Sequence, residues 1–396
     1  MKLDFAILGG GLSAGLVAAR LASRFPNLNW RLFEQSKSLG GNHTWCFHDA
    51  DVPQGAWPWL RPMVAKSWVG YDVNFPGWRR RLGSGYHGIT SHSFHEALMG
   101  QYGERISLGV QVQWVEPGTL VLPNGETFTS DIVFDARGLS DLQAEHCGFQ
   151  KFVGWEIELE SPHRLKRPLL MDATVPQKDG YRFFYVLPWT DTKLLVEDTY
   201  YSDSPELDVE QVREEIARYL GNRGWRMQKL LREEVGCLPI PLSKKYRRTA
   251  PQSFDIGNRG DYFQPTTGYS MPYGLRVAML VGDSVAWDPQ ALSEKLEAFQ
   301  RETFSRHEFF RLLNRMLFRG CEPQNRWKIF ARFYRLRESL IQGFYSGRLR
   351  WWQRLRILSG KPPIPIGRAL KCLRDPFSDD DQETHGKFHK ANPSVS

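Results

Sequence analysis

Several absences narrow the field first. No C-x-x-C pair occurs, and the five cysteines (Cys46, Cys147, Cys237, Cys321 and Cys372) are scattered and odd in number. Neither a disulfide framework nor a zinc site is indicated, and a reducing, intracellular compartment fits such usage. No uninterrupted apolar stretch approaches the roughly 20 residues that a membrane-spanning helix needs. The N-terminus, MKLDFAILGGG, has an acid at Asp4 and glycines where an apolar signal core needs length, so it reads as neither signal nor transit peptide. HEALM at His95 begins like H-E-x-x-H but lacks the second histidine. His92 shares a helix face with His95, yet two ligands do not make a zinc site, and no metal is expected.

What is present is ordinary for a globular protein: 396 residues, 41% apolar and 24% charged, enough for two or three domains. The charge is uneven. Residues 301–375 hold 18 Lys and Arg against 5 Asp and Glu, an excess of +13, while the first 300 residues carry −3. A basic segment suits an anionic partner, either a membrane surface or nucleic acid. No recognised nucleic-acid module is visible, so no nucleic acid is expected. Residues 326–360 interleave Arg with Phe, Tyr and Trp, a pattern for a helix in a membrane interface or for a cap packed on the rest of the protein. The stretch PQALSEKLEAFQRETFSRHEFFRLLNRMLF predicts an amphipathic helix, broken once at most. The last residues, 376–396, are polar and predict a disordered tail.

DFAILGGGLSAGLVAARLA predicts strand, tight turn and helix. Gly9, Gly11 and Ala14 fill G-x-G-x-x-G/A, and Gly15 follows. Such glycines let the backbone approach a pyrophosphate seated on the helix N-terminus. The second strand, NWRLFEQ, brings Glu34 to the position where a carboxylate accepts hydrogen bonds from a ribose, which suits FAD or NAD and repels a 2′-phosphate. GLSAG also satisfies the G-x-S-x-G nucleophile elbow, but it sits on the first strand with Glu34 in the ribose position, so Ser13 starts a helix and has no catalytic duty. SDIVFDARG is a strand ending in Asp135, Ala136, Arg137 and Gly138, after a hairpin turned by Asn124-Gly125. YFQPTTGYSMP is a loop before a helix, and the backbone amides of Pro265–Gly268 are candidates to hold a flavin ring.

The middle of the chain reads as strands. KFVGWEIELE puts Val153, Trp155, Ile157 and Leu159 on one face and Glu156, Glu158 and Glu160 on a solvated one. YRFFYVLPW supplies either core or the lining of a slot for a long apolar ligand. KLLVEDTYY runs an apolar strand into two adjacent acids, Glu197 and Asp198. Neighbouring strand residues point to opposite faces, so one acid can face a cavity while the other faces away.

These segments together (GFQKFVGWEIELE, MDATV, YRFFYVLP, LLVEDTYY, PTTGYSMP, NRMLF and SGKPPIP) resemble, in order and spacing, the bacterial lycopene beta-cyclases. The resemblance runs from residue 3 to about 368, and LLVEDTYY and PTTGYSMP are its specific pieces. It implies an α/β protein with a glutathione-reductase-like, Rossmann-type FAD domain, an inserted β-rich substrate domain and a C-terminal helical region. The boundaries expected are 1–75, 101–148 and 255–300 for the FAD domain, and 76–100 and 149–254 for the substrate domain. The basic helical region takes 301–375 and the tail 376–396. FAD working in its reduced form is implied, with NADPH or NADH as electron source. The substrates implied are lycopene and related linear carotenoids, met by a cytoplasmic protein at the membrane surface. The resemblance assigns catalysis to Glu197 and Asp198, with Glu197 essential. It carries cofactor binding onto Gly9, Gly11, Gly15, Glu34 and the loop of Pro265, Thr266, Thr267 and Gly268. Gly282-Asp283 mimics a flavin-hydroxylase motif in the wrong order along the chain and is read as coincidence. Two other readings remain open: a flavin oxidoreductase of the same fold (isoprenoid reductase or aromatic hydroxylase), and a non-catalytic nucleotide-binding protein of the membrane surface.

Overall fold

The computed structural model describes residues 2–116, 118–138, 147–243, 253–283, 288–359 and 364–373. The tail expected at 376–396 lies outside the described residues, as does part of SGKPPIP.

The continuous apolar run at the N-terminus makes a strand buried on both faces, as parallel sheets require. Lys2–Leu8 lies between Trp30–Glu34 and Thr127–Asp135, parallel to both, with Phe5 opposite Trp30 and Ala6 opposite Val133. Ile106–Leu108 extends the sheet beyond Trp30–Glu34, and Ser253–Asp255 pairs with Thr127–Asp135. The hairpin expected at Asn124-Gly125 is present, with Gly125 at φ +82°. Phe5 and Ile7 face a core built on the helices Leu12–Arg24 and Met271–Gly282, while Leu3, Ala6 and Leu8 face a second cluster with Leu120 and Phe128.

A second, seven-stranded sheet runs in the order Met227–Pro241, Cys147–Leu159, Lys193–Ser202, Tyr181–Pro188, Leu169–Asp172, Tyr71–Phe75, Trp78–Leu82. The alternation sorts its faces. Leu194, Val196 and Tyr200 pack with Ile216 and Tyr219 of the helix Val209–Asn222. Leu195 and Tyr201 join Phe330, Phe344 and Tyr345 of the C-terminal helices. A third, small sheet holds Thr44–His48, Tyr86–Thr90 and Lys66–Trp68.

Two boundaries differ from the expectation. Tyr71–Phe75 belongs to the second sheet, paired with Leu169–Asp172, and not to the first domain. The helix Ser91–Tyr102 belongs to the first core through Phe94 and Leu98, not to the second sheet. Short apolar strands do not declare their partners, because pairing is decided by residues a hundred positions away.

The C-terminal region is also more divided than its pattern suggests. Pro289–Arg315 is one unbroken helix of 27 residues, followed by the short helices Arg326–Phe333, Glu338–Tyr345, Trp351–Leu358 and Ile366–Lys371. Its positive charge is not all superficial. Arg311, Arg315 and Arg326 are buried, and Arg326 holds Asp203 at 2.6 Å. The exposed apolar side chains gather at its end: Trp351 is 73% exposed, Leu355 57% and Leu370 60%, with Trp352, Leu358, Ile366 and Leu373 beside them in sequence. No helix among the described residues is long and apolar enough to cross a membrane.

Candidate active site

The glycine turn opens into a cavity of about 550 Å³ lined by Gly9, Gly11, Glu34, Arg137 and Gly138, with His43, Trp45 and Ser270 also in its wall. Gly9 has φ +92°, and a Cβ there would stand 3.0 Å from the backbone carbonyl of Ala136, so only glycine fits. At Gly11 the reason differs: a Cβ would meet nothing within 4 Å. Gly11 is the N-cap of Leu12–Arg24 and offers no side chain to the first turn, so the helix's free amides and the positive end of its dipole face open space. That is a cradle for a pyrophosphate. The Glu34 carboxylate accepts from the amides of Gly10 (2.5 Å) and Ser36 (2.7 Å), which fixes it in the cavity wall.

Other expected cofactor residues take different duties. Ala14 and Gly15 do not line the cavity. A Cβ at Gly15 would stand 2.2 Å from the Phe94 ring, so this glycine lets two helices approach. Asp135 is buried and grips Arg137 (2.7 Å) and Arg259 (3.3 Å), so it positions the Arg137 that does reach the cavity. The amides of Thr266 and Thr267 are already bound by Gln264 Oε1 at 2.5 and 2.8 Å, and that of Gly268 by the Gln264 carbonyl at 2.9 Å. A buried glutamine therefore uses the donors expected for a flavin ring, and sequence gave no sign of it. Thr266 and Thr267 instead border an apolar cavity of about 220 Å³ walled by Leu313, Met316, Phe333, Leu336 and Ile357. His95 Nδ1 accepts from the Leu39 amide at 3.1 Å, a structural bond. Asp283 pairs with Arg20 at 2.6 Å.

The two adjacent acids lie on opposite faces of their strand. Asp198 is fully buried against Arg182, whose Nε and Nη2 reach its two oxygens at 2.9 and 2.7 Å, and it accepts from Tyr200 at 2.9 Å. Burial lifts its pKa to about 6 while Arg182 and Tyr200 pull it back, which leaves it ionised at neutral pH. Glu197 faces the other way, toward the small sheet and the first domain. It accepts from Thr199 Oγ1 at 2.6 Å. Burial pushes its carboxyl up to about 8, and the charges of Glu234 and Asp198 add to the effect. The Thr199 hydrogen bond and the charge of Arg232 oppose the rise. It is a carboxylic acid at neutral pH.

Its surroundings bring in residues that the sequence did not flag. Tyr185 pairs directly with Glu197, its hydroxyl lies 3.0 Å from that of Tyr86, and both lie beside the Cys46 thiol, which burial lifts to about 12. On the far side stand Glu234, Arg232 and His43, joined at 3.2 and 3.1 Å. A signal was available. KLLREEVG, at 229–236, repeats the pattern of KLLVEDT at 193–199: apolar pair, then two adjacent acids.

Across residues 4–371 the chain matches the family model described as lycopene cyclase protein. It belongs to that family. The lycopene beta-cyclase of Pseudescherichia vulneris is 43% identical over 379 residues, covering 95% of this chain and 98% of the relative. That of a Paracoccus strain is 38% identical, covering 94% and 97%. The chain is thus an enzyme of the lycopene cyclase family. Among solved structures, PqsL of Pseudomonas aeruginosa, described as a probable FAD-dependent monooxygenase, superposes with TM-score 0.60 at 15% identity. It covers 85% of this chain and 100% of that one. A geranylgeranyl bacteriochlorophyll reductase-like protein of Thermoplasma acidophilum gives 0.57 at 13%, covering 97% and 98%. These likenesses establish the expected Rossmann-type flavoprotein fold: α/β, with sheets followed by a C-terminal helical region.

Proposed function

We propose that this lycopene cyclase family member closes the linear ends of lycopene into beta-ionone rings, giving beta-carotene by way of gamma-carotene, with no net redox change. The single observation that carries the reading is Glu197. It is a carboxyl on an apolar strand, held protonated by burial to about 8, on the face turned toward the first domain. Protonating an alkene at neutral pH needs an acid that is desolvated and still charged with its proton. Glu197 delivers that proton to the terminal double bond, the next double bond attacks the resulting tertiary cation, and a six-membered ring closes. The hydroxyls of Thr199, Tyr185 and Tyr86 fix the acid's side of the site, and the ring faces of Tyr185 and Tyr86 are suited to a passing positive charge. Asp198 does not enter the chemistry. It anchors the strand from behind through Arg182.

The cavity at the glycine turn suits FAD: the amides after Gly11 would hold its pyrophosphate, Glu34 would accept from its ribose, and Arg137 and Gly138 would complete the wall. Bound in its reduced form, with NADPH or NADH as electron source, FAD would supply negative charge to stabilise a developing cation. The substrate side is supported by the apolar cavity under the helices 326–358. Its outer residue Leu358 lies in sequence beside the exposed Trp351, Trp352 and Leu355, and its inner residue Tyr345 belongs to the same core as Tyr86. A cytoplasmic protein docked by that apolar end on an anionic membrane surface meets a lipid-dissolved polyene directly.

The test is expression in cells that accumulate lycopene, followed by product mass and chromatography. Beta-carotene, or gamma-carotene if one end is closed, has the mass of lycopene. A product two hydrogens heavier, labelled from deuterated NADPH, overturns the cyclase and leaves a flavin reductase of the same fold.

A further inference from the structure

We infer that Glu234 is the base that completes ring formation, standing opposite Glu197 across the bare floor of Gly154. The inference rests on the cyclase reading and assigns its second proton transfer.

Strand register carries it. Gly154 pairs with Glu197 on one side and with Glu234 on the other. Residues directly opposite one another share a face of the sheet, so the three form one row. Gly154 has no side chain. The two glutamates therefore flank a gap two strand spacings wide, about 10 Å between their backbones. A Cβ at Gly154 would lie 3.4 Å from Cβ and Cγ of Glu197, so any larger side chain there projects into the gap. Glu233, next in sequence, faces the opposite way and is held by Trp155 Nε1 and Arg213 Nε, both at 2.8 Å.

The two carboxyls of the row have opposite environments. Thr199 hydrogen-bonds Glu197, which burial keeps protonated. Buried Glu234 has a guanidinium beside it, with Arg232 Nη1 3.2 Å from Oε2, and His43 Nδ1 lies 3.1 Å from Oε1. Arg232 is itself fixed by Glu156 (3.1 Å), Asn42 (2.9 Å) and Thr44 (2.8 Å). A carboxyl held by a hydroxyl and a carboxyl held by a guanidinium, set in one row of the sheet, have the different partners that an acid and a base need.

The step balances. The proton of Glu197 and the electrons of the terminal double bond form a new C–H bond and leave a tertiary cation. The electrons of the next double bond form the ring C–C bond and move the charge onto the ring. Glu234 takes a proton from the ring carbon beside that charge, and the released C–H electrons become the ring double bond. The product keeps the substrate's formula. Glu197 ends ionised and Glu234 protonated. His43, whose side chain is 62% exposed and which borders the nucleotide cavity, gives the proton an outlet toward solvent.

Flavin-loaded wild type, Glu234→Gln and Glu234→Asp are compared on lycopene in phospholipid vesicles. Glu234→Gln is expected to lose about 100-fold or more in beta-ring formation, as for removal of a general base, with its visible flavin spectrum unchanged. Its residual product is expected to carry the ring double bond at another carbon, or a hydroxyl from water. Glu234→Asp keeps the ring double bond in place. A Glu234→Gln enzyme that forms beta rings at the wild-type rate and position overturns the assignment, whereas an inactive wild type overturns the cyclase reading itself. If Glu234→Gln does not accumulate as a flavoprotein, Gly154→Val decides. Valine suits a strand and fills the gap, so wild-type turnover in that variant overturns the proposal, and lost turnover with normal flavin content supports it.

Discussion

Glu197 and Asp198 are consecutive residues whose carboxyls lie on opposite sides of one sheet, the first toward the nucleotide domain and the second against Arg182 at 2.7 Å. Their separation gives each a distinct expected phenotype.

Glu197→Gln keeps the shape of the side chain and removes its acidic proton. Product is expected to fall below detection while flavin content stays normal. Wild-type activity is expected to decline about tenfold per pH unit once Glu197 ionises, above about 8. The same raised value has a stability consequence. The folded state prefers the protonated acid, so the wild type loses stability as pH climbs from the ordinary carboxyl value of 4.5 through about 8. Glu197→Gln lacks that loss. Melting temperatures of the two proteins, followed between about pH 5 and about pH 9, should diverge in favour of the variant at the alkaline end. Parallel curves would remove the raised Glu197 carboxyl from the account.

Asp198→Asn removes the negative charge that faces the buried Arg182 guanidinium. Breaking a buried ion pair costs about 3–5 kcal/mol, and Glu215, 3.0 Å from Arg182, lessens this. Denaturant unfolding should show a clear loss of stability, while turnover per mole of bound flavin stays within severalfold of wild type. An Asp198→Asn protein of normal stability and no turnover would return this residue to the chemistry.

Gly9 and Gly11 separate folding from cofactor binding. Gly9→Ala forces a Cβ against Ala136 at positive φ and is expected to weaken the apoprotein by about 1–3 kcal/mol. Gly11 has φ −78°, and its Cβ direction is open. Gly11→Val should therefore fold as well as the wild type and fail to retain FAD. Thermal melts of the apoproteins and flavin titration measure both. Flavin retention by Gly11→Val would move the pyrophosphate elsewhere.

The membrane docking proposed above would use the exposed apolar end of the C-terminal region. Leu355→Glu introduces a charge on that face and is expected to reduce sedimentation with anionic vesicles, and wild-type binding should weaken with salt. Equal binding by the variant would put the contact on another surface.

Much of this was legible in the linear sequence because it depends on local rules. The glycine turn, its strand and helix, the hairpin at Asn124-Gly125 and the alternation in KLLVEDTYY follow from backbone sterics and from the two-residue period of a strand. That period says that Glu197 and Asp198 part company. It does not say which of them faces the chemistry, since that depends on what covers each face of the sheet. Gln264's use of the loop amides and the packing duty of Gly15 were hidden for the same reason: each depends on a contact with groups the spacing does not name.

The sequence by itself determined the kind of protein, through motifs whose geometry is set within a few residues. Only the tertiary structure decided the row of Glu197, Gly154 and Glu234. These positions lie on three strands separated by dozens of residues, and a shift of one residue in either pairing would turn a whole set of side chains to the opposite face. Register of that kind is fixed by burying all the apolar faces at once, in the folded chain.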